Sequence, residues 1–230
     1  MPTVLDLETI PNKDVQHLMP PPKAKANLKD VAKIAASIQQ SREAGIRKMQ
    51  LSPFTGRIAC YATAGDIKES SFLDEVSDDA ERKVIDDCFT MINECLKANQ
   101  PIVTFNGIQF DFPYLYKRAA ILKVPCPVMV PYSTFVKRYT TNPHVDLRMV
   151  LNDWDSHGEG KLSFYTKIVG LKEKEELDYA TFLGLVESGQ GETIAKHCAQ
   201  HCEVTLGLYE VFKDYLTTTS TSNMSPRSDY

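Results

Sequence analysis

Thr3-Val4-Leu5-Asp6-Leu7-Glu8-Thr9-Ile10-Pro11 is the stretch on which the reading of the fold turns. From Thr3 to Leu7 it alternates and is β-branched enough to form a strand, which Pro11 is expected to stop. A strand has period two, so Asp6 and Glu8 project from one face. Neighbouring carboxylates repel and cost stability unless a cation or a shared proton lies between them. On a solvated strand edge such a pair needs no special cause. Beside further acids and imidazoles it points to a metal.

Working outward, the chain has 230 residues, 43% of them hydrophobic and 24% charged. That is ordinary for one soluble domain with an insertion, and long enough to bury a large core. No apolar run has the length of a membrane span, and the N-terminus lacks a basic-then-apolar leader, so a cytoplasmic protein without membrane contact is expected. A net charge of −4 argues against a generally polybasic surface. Contact with nucleic acid would have to be local and cation-assisted.

Downstream, Met19-Pro20-Pro21-Pro22 excludes helix and central strand. Asn27 is the expected N-cap of a helix reaching Met49, with Val31, Ile34, Ala35 and Ile38 on its inner face. After the turn Ser52–Gly56, Arg57–Thr63 reads as a strand and Lys68–Leu73 as its hairpin partner. Asp78 is expected to cap a helix over Asp79–Ala98 that buries Val84, Ile85, Cys88, Phe89, Ile92 and Leu96. Pro101–Phe105 reads as a strand, closed by Asn106-Gly107 and followed by a helix from about Gln109 to Leu122. His144-Val145-Asp146-Leu147 comes after a proline-rich stretch. Helices are then expected over Lys161–Val169, Tyr179–Glu187 and Glu192–Tyr215. The order of elements predicts an α/β fold, a central β-sheet with helices on both faces. One domain spans 1–216 with a helical insertion at about 27–49, and 217–230 reads as a disordered tail.

The six cysteines are scattered through apolar segments and read as small buried hydrophobes. His197-Cys198-Ala199-Gln200-His201-Cys202 has zinc-ligand letters. One helical turn aims only about two side chains at a common point, and no second Cys or His pair completes a closed site. Asp111, after a strand and in the first turn of a helix, is placed where helix N-termini favour anions. His197, His201 and Thr205 recur every four residues and share a helix face.

These motifs together resemble the DnaQ-like 3′–5′ exonucleases with the Asp-Glu-Asp-Asp signature. Within them the chain looks closest to the predicted exonucleases related to the proofreading domain of family-B DNA polymerases. Asp6-Leu7-Glu8-Thr9-Ile10-Pro11 is similar to that family's first motif. The run from Phe105-Asn106-Gly107 through Phe110-Asp111-x-Pro113-x-Leu115 is similar to its second. His144-Val145-Asp146-Leu147 resembles an intermediate segment, in which Asp146 reads as a structural or capping residue. His197-Cys198-x-x-His201-x-x-x-Thr205-x-x-Leu208-Tyr209 follows the third motif, which usually has Tyr at the first position and Asp where His201 stands. Glu203 does not replace that Asp, since two helical positions place it about 200° around the axis.

The resemblance implies a ribonuclease H-like fold and a two-metal hydrolysis of phosphodiester bonds at 3′ ends of single-stranded DNA. Two divalent ions, Mg²⁺ or Mn²⁺, would be held by Asp6, Glu8, Asp111 and His201. One would activate water and the other would stabilise the leaving 3′ oxygen. His197 would orient the water or act as general base. Thr9, Asn106 and Phe110 are the implied substrate contacts, with Phe112 and Tyr114 as further stacking candidates. Lys117, Arg118, Lys137, Arg138 and Lys161 are candidates for the phosphate backbone. Imidazole in place of a carboxylate removes one negative charge and suits Mn²⁺ better than Mg²⁺. The alternative is a weakened relative that binds nucleic acid, or that assists replication or recombination proteins in trans.

Overall fold

The computed structural model describes residues 1–158, 160–172 and 177–216; the expected tail at 217–230 lies outside the described residues. The chain opens with β1 (Thr3–Pro11), a 3-10 turn (Lys13–Leu18) and α1 (Val31–Met49). Next come β2 (Gly56–Gly65), β3 (Ser70–Phe72), α2 (Asp78–Lys97), β4 (Ile102–Thr104) and α3 (Asp111–Leu122). After a short α4 (Tyr132–Phe135) follow β5 (His144–Asp146), α5 (Leu147–Leu151), α6 (Leu162–Ile168), α7 (Tyr179–Glu187) and α8 (Gly191–Leu216). The strands form one sheet in the order β3-β2-β1-β4-β5. β1 runs antiparallel to β2 and parallel to β4, and β4 runs parallel to β5. This is the expected mixed sheet.

β1 is the middle strand, so both of its faces are covered. Every residue of it is buried except Asp6 and Glu8, which are half-buried. Its register is regular from Thr3↔Gly65 to Glu8↔Cys60, then slips by one residue so that Thr9 faces Ile58. A bulge of this kind bends a strand and re-aims the neighbouring side chains. It sits directly after the second carboxylate. β1 runs through to Pro11, the residue expected to stop it. Proline lacks only the N–H, a small loss at a strand's last residue.

α8 crosses the face that carries Asp6 and Glu8. Cys198 Sγ lies 3.4 Å from the Asp6 carbonyl, and Cys202 Sγ lies 3.1 Å from that of Ala62. The opposite face packs on α2, whose Val84, Ile85, Cys88, Phe89 and Ile92 are buried. Ser77 caps α2 by accepting from Ala80 N–H, one residue before the expected cap.

α1 departs furthest from its expectation. It starts at Val31, with Asp30 as N-cap accepting from Lys33 N–H at 2.9 Å; Asn27 instead takes a positive φ of 67° before the helix. Val31 and Ala35 are exposed, and the buried residues are Ser37 and Met49. The reason is the proline segment. It lies along the helix in extended form, with Lys25 N–H donating to Ser37 Oγ at 2.9 Å and Lys23 N–H to Ser41 Oγ. At its C-terminal end the helix is tied to β1, because Thr9 Oγ1 donates to the Gln50 carbonyl at 2.9 Å. Among the described residues no helix is long and apolar enough to cross a membrane.

Candidate active site

Three elements bring the predicted acids and imidazoles together. β1 presents Asp6 and Glu8 on one face, and α8 lays His201 over both. Its Nδ1 is 3.4 Å from Asp6 Oδ2 and 3.2 Å from Glu8 Oε1. His197, one turn earlier, stands beside it with ring centroids 5.0 Å apart. Burial opposes a charge on His201, but hydrogen bonds and the charges of Asp6 and Glu8 outweigh it. They hold its pKa up to about 10. Without a bound metal, the imidazolium supplies the cation that the paired carboxylates require.

Asp111 reaches the same place from beneath. It is buried at the first residue of α3, and its Oδ1 accepts the Leu7 N–H at 3.1 Å, between the two β1 carboxylates. Burial pushes its carboxyl upward, and the charges of Asp6 and Asp146 add to the effect. Asp146 fixes the approach to it. Its carboxylate accepts from Asn106, Ile108 and Met149 N–H groups at 3.0, 2.9 and 3.2 Å, so it is the buried capping residue expected. Asn106 holds the tight φ of 77° that begins this loop.

The donor atoms do not close evenly. Among the described residues, two sets of three have all their donor atoms within 4.8 Å of one another: Glu8, His197 and His201, and Asp6, Glu8 and Cys198. Asp111 is in neither set. Donor atoms that could hold a cation therefore centre on Glu8, with either the two imidazoles or Asp6 and Cys198, while Asp111 accepts from Leu7 N–H outside both sets. Cys198, with its thiol 3.6 Å from Asp6 Oδ2, was missed as a neighbour of the site. Its place in the Asp6–His201 seam follows from helical spacing, three residues before His201.

Two cavities open on either side of His201. One, of about 310 Å³, is lined by Glu8, Thr9, Phe110, Tyr179, His197 and His201. The other, of about 540 Å³, is lined by Asp6, Phe105, Lys161, Lys167, His201 and Thr205. It continues into a groove shared by Lys161, Asn106 and Arg148. Thr9 and Phe110 thus lie on the Glu8 side, while Asn106 lies on the Asp6 side with its Oδ1 accepting from Arg148 at 3.1 Å. Tyr179, Phe182, Lys167 and Arg148 line these spaces without having been signalled by the sequence. A larger groove, about 920 Å³, runs between Pro20–Pro22 and α1, apart from the carboxylates.

Several candidate contacts are withdrawn. Phe112 and Tyr114 are fully buried core residues, Phe112 stacked on Phe135 at 4.5 Å. Arg118 is buried in a two-pronged ion pair with Glu81. Lys117, Lys137 and Arg138 are exposed but line none of the spaces around His201.

Comparison with known proteins bears on the family and the fold. The sequence profile of a family described as "Predicted 3'-5' exonuclease related to the exonuclease domain of PolB" matches residues 55–224. Asp6 and Glu8 precede the matched span. No curated protein sequence matches. The structure is similar to a family B DNA polymerase from the hyperthermophilic archaeon Pyrobaculum calidifontis, with a TM-score of 0.58 and 15% identity. That match covers 92% of this chain and 24% of the polymerase chain, and shows a ribonuclease H-like fold.

Proposed function

Since the chain belongs to the predicted 3′–5′ exonucleases related to the exonuclease domain of PolB, we propose that it removes nucleotides from 3′ ends of single-stranded DNA with divalent ions. The observation that carries the reading is convergence. His201 of α8 lies within 3.4 Å of both Asp6 and Glu8 of β1, and Asp111 from α3 is held against Leu7 N–H between the two carboxylates. Residues 1–216 would form the catalytic unit.

Metal ions bound there, Mn²⁺ in preference to Mg²⁺, would lower the pKa of a water and stabilise the leaving oxygen. Asp6 and Glu8 are the oxygen donors that would hold them, with Asp111 recruited by giving up Leu7 N–H. His197 is positioned beside the cleft to orient water or take its proton. Lys161 and Lys167, along the Asp6-side cavity, suit a phosphate backbone, and Phe110 with Tyr179 offers aromatic faces to a terminal base on the other side.

One observation favours a second reading. His201 already contacts both Asp6 and Glu8 and offsets one of their two charges, which supports a weakened relative that binds nucleic acid, or works beside replication or recombination proteins, without cutting. Digestion of 5′-labelled and 3′-labelled oligonucleotides separates the two. The nuclease reading expects a descending ladder from the 5′ label and immediate release of a labelled mononucleotide from the 3′ label. Tight binding with no product under Mg²⁺ or Mn²⁺ would establish the second reading instead.

A further inference from the structure

The donors around this cleft are sorted by chemistry. Oxygen donors gather toward Asp6 and Asp111, whereas His197 lies on the Glu8 side and His201 stands between the two. Glu8, His197 and His201 already hold one donor atom each within a mutual 4.8 Å. Tetrahedral ligands at zinc distances sit roughly 3.3 Å apart, so small side-chain rotations close the set. The i, i+4 spacing of the two histidines fixes both rings on one helix face. Asp6, 3.4 Å from His201 Nδ1, stands where a carboxylate orients a ligating imidazole. The fourth position faces the 310 Å³ cavity, which all three residues line.

We propose that Glu8, His197 and His201 form a mononuclear site for Zn²⁺, with one position open to the cavity. Two imidazoles and one carboxylate suit zinc and disfavour magnesium, which demands oxygen. The site supplies the second ligand segment that the His197–Cys202 letters lacked. That segment is a strand carboxylate; Cys202 turns to the Ala62 carbonyl, and Cys198 lies against Asp6. The proposal goes beyond the nuclease reading and stands whether or not the chain cuts DNA.

The full chain, stripped with a chelator, is titrated calorimetrically with Zn²⁺ and with Mn²⁺, and its Co²⁺ form is recorded by visible absorption. One Zn²⁺ per chain is expected. His197→Gln should weaken Zn²⁺ at least 10-fold and alter the Co²⁺ bands, with far smaller change in Mn²⁺ affinity. His157→Gln, at an exposed remote position, should bind zinc like the wild type. Zinc affinity of His197→Gln within threefold of wild type overturns the proposal. Anomalous scattering from zinc-soaked wild-type crystals needs no variant. A peak coordinated by Glu8, His197 and His201 supports the site, and one elsewhere overturns it. Absence of cleavage by the zinc-free, Mn²⁺-loaded chain, with zinc binding intact in the titration, would defeat only the nuclease reading.

Discussion

Two clusters in this protein set cations against carboxylates, and they solve the problem differently. In the first, Arg57, Glu81 and Arg118 are 1%, 0% and 2% exposed. Arg118 grips both oxygens of Glu81 at 2.7 and 2.6 Å, and Ile58 N–H donates to the same carboxylate at 2.8 Å. Arg57 reaches outward to Asp14 and Asp78. In the second, His201, Asp6 and Glu8 are 31%, 26% and 21% exposed, and the cation is one that a metal can displace. The difference teaches which cluster is scaffold. The arginine network anchors β2 at Ile58, opposite the bulge after Glu8, and so holds the carboxylate strand in shape. The histidine cluster keeps space and a replaceable charge.

The largest expected effect falls on the open cluster. Asp6→Asn should lower hydrolysis on the order of 10³-fold while leaving the circular dichroism spectrum unchanged. Comparable activity in this variant would dissolve the distinction between the clusters. Next comes the closed one. Glu81→Gln leaves the buried Arg118 guanidinium without its carboxylate and should cost about 3–5 kcal/mol in urea unfolding. A loss below about 1 kcal/mol would mean that the network is not the scaffold.

The pH response should separate them further. The folded pKa of His201, about 10, stands above its ordinary 6.5, so its contribution is full below pH 6.5 and lost as pH rises toward 10. In chelator, wild type should lose about 1–3 kcal/mol relative to His201→Gln across that window, after allowance for partial exposure. A constant difference between the two proteins would contradict the imidazolium's role. The smallest effect is expected at the cavity wall. Lys161→Ala should weaken single-stranded DNA binding a few-fold and reduce the salt slope by about 0.7. An unchanged slope would place the backbone elsewhere.

Much of this contrast was legible in the sequence where a single period governs. Alternation placed Asp6 and Glu8 together, and helical spacing placed His197 with His201. Asp111 was legible as a helix-start acid, but its acceptance of Leu7 N–H joins residues 104 apart and leaves no local trace. The bulge after Glu8 depends on how β2 pairs, which no run of residues encodes. α1 misled for a related reason. Its inner face is set by serines that bond a proline segment, so apolar periodicity pointed to Val31 and Ala35, which are exposed. Phe112, Tyr114 and Arg118 looked available because their polar or aromatic character says nothing of depth. The helix they belong to turns that face inward.

The central claim is that His201 stands in a metal-dependent nuclease centre in place of an acid. Single-turnover hydrolysis of a 5′-labelled single strand by wild type and His201→Asp, each under Mg²⁺ and Mn²⁺, tests it directly. The account predicts that wild type works better with Mn²⁺ and that the aspartate raises the Mg²⁺ rate. A wild type fully active with Mg²⁺ and slowed by the aspartate would contradict it.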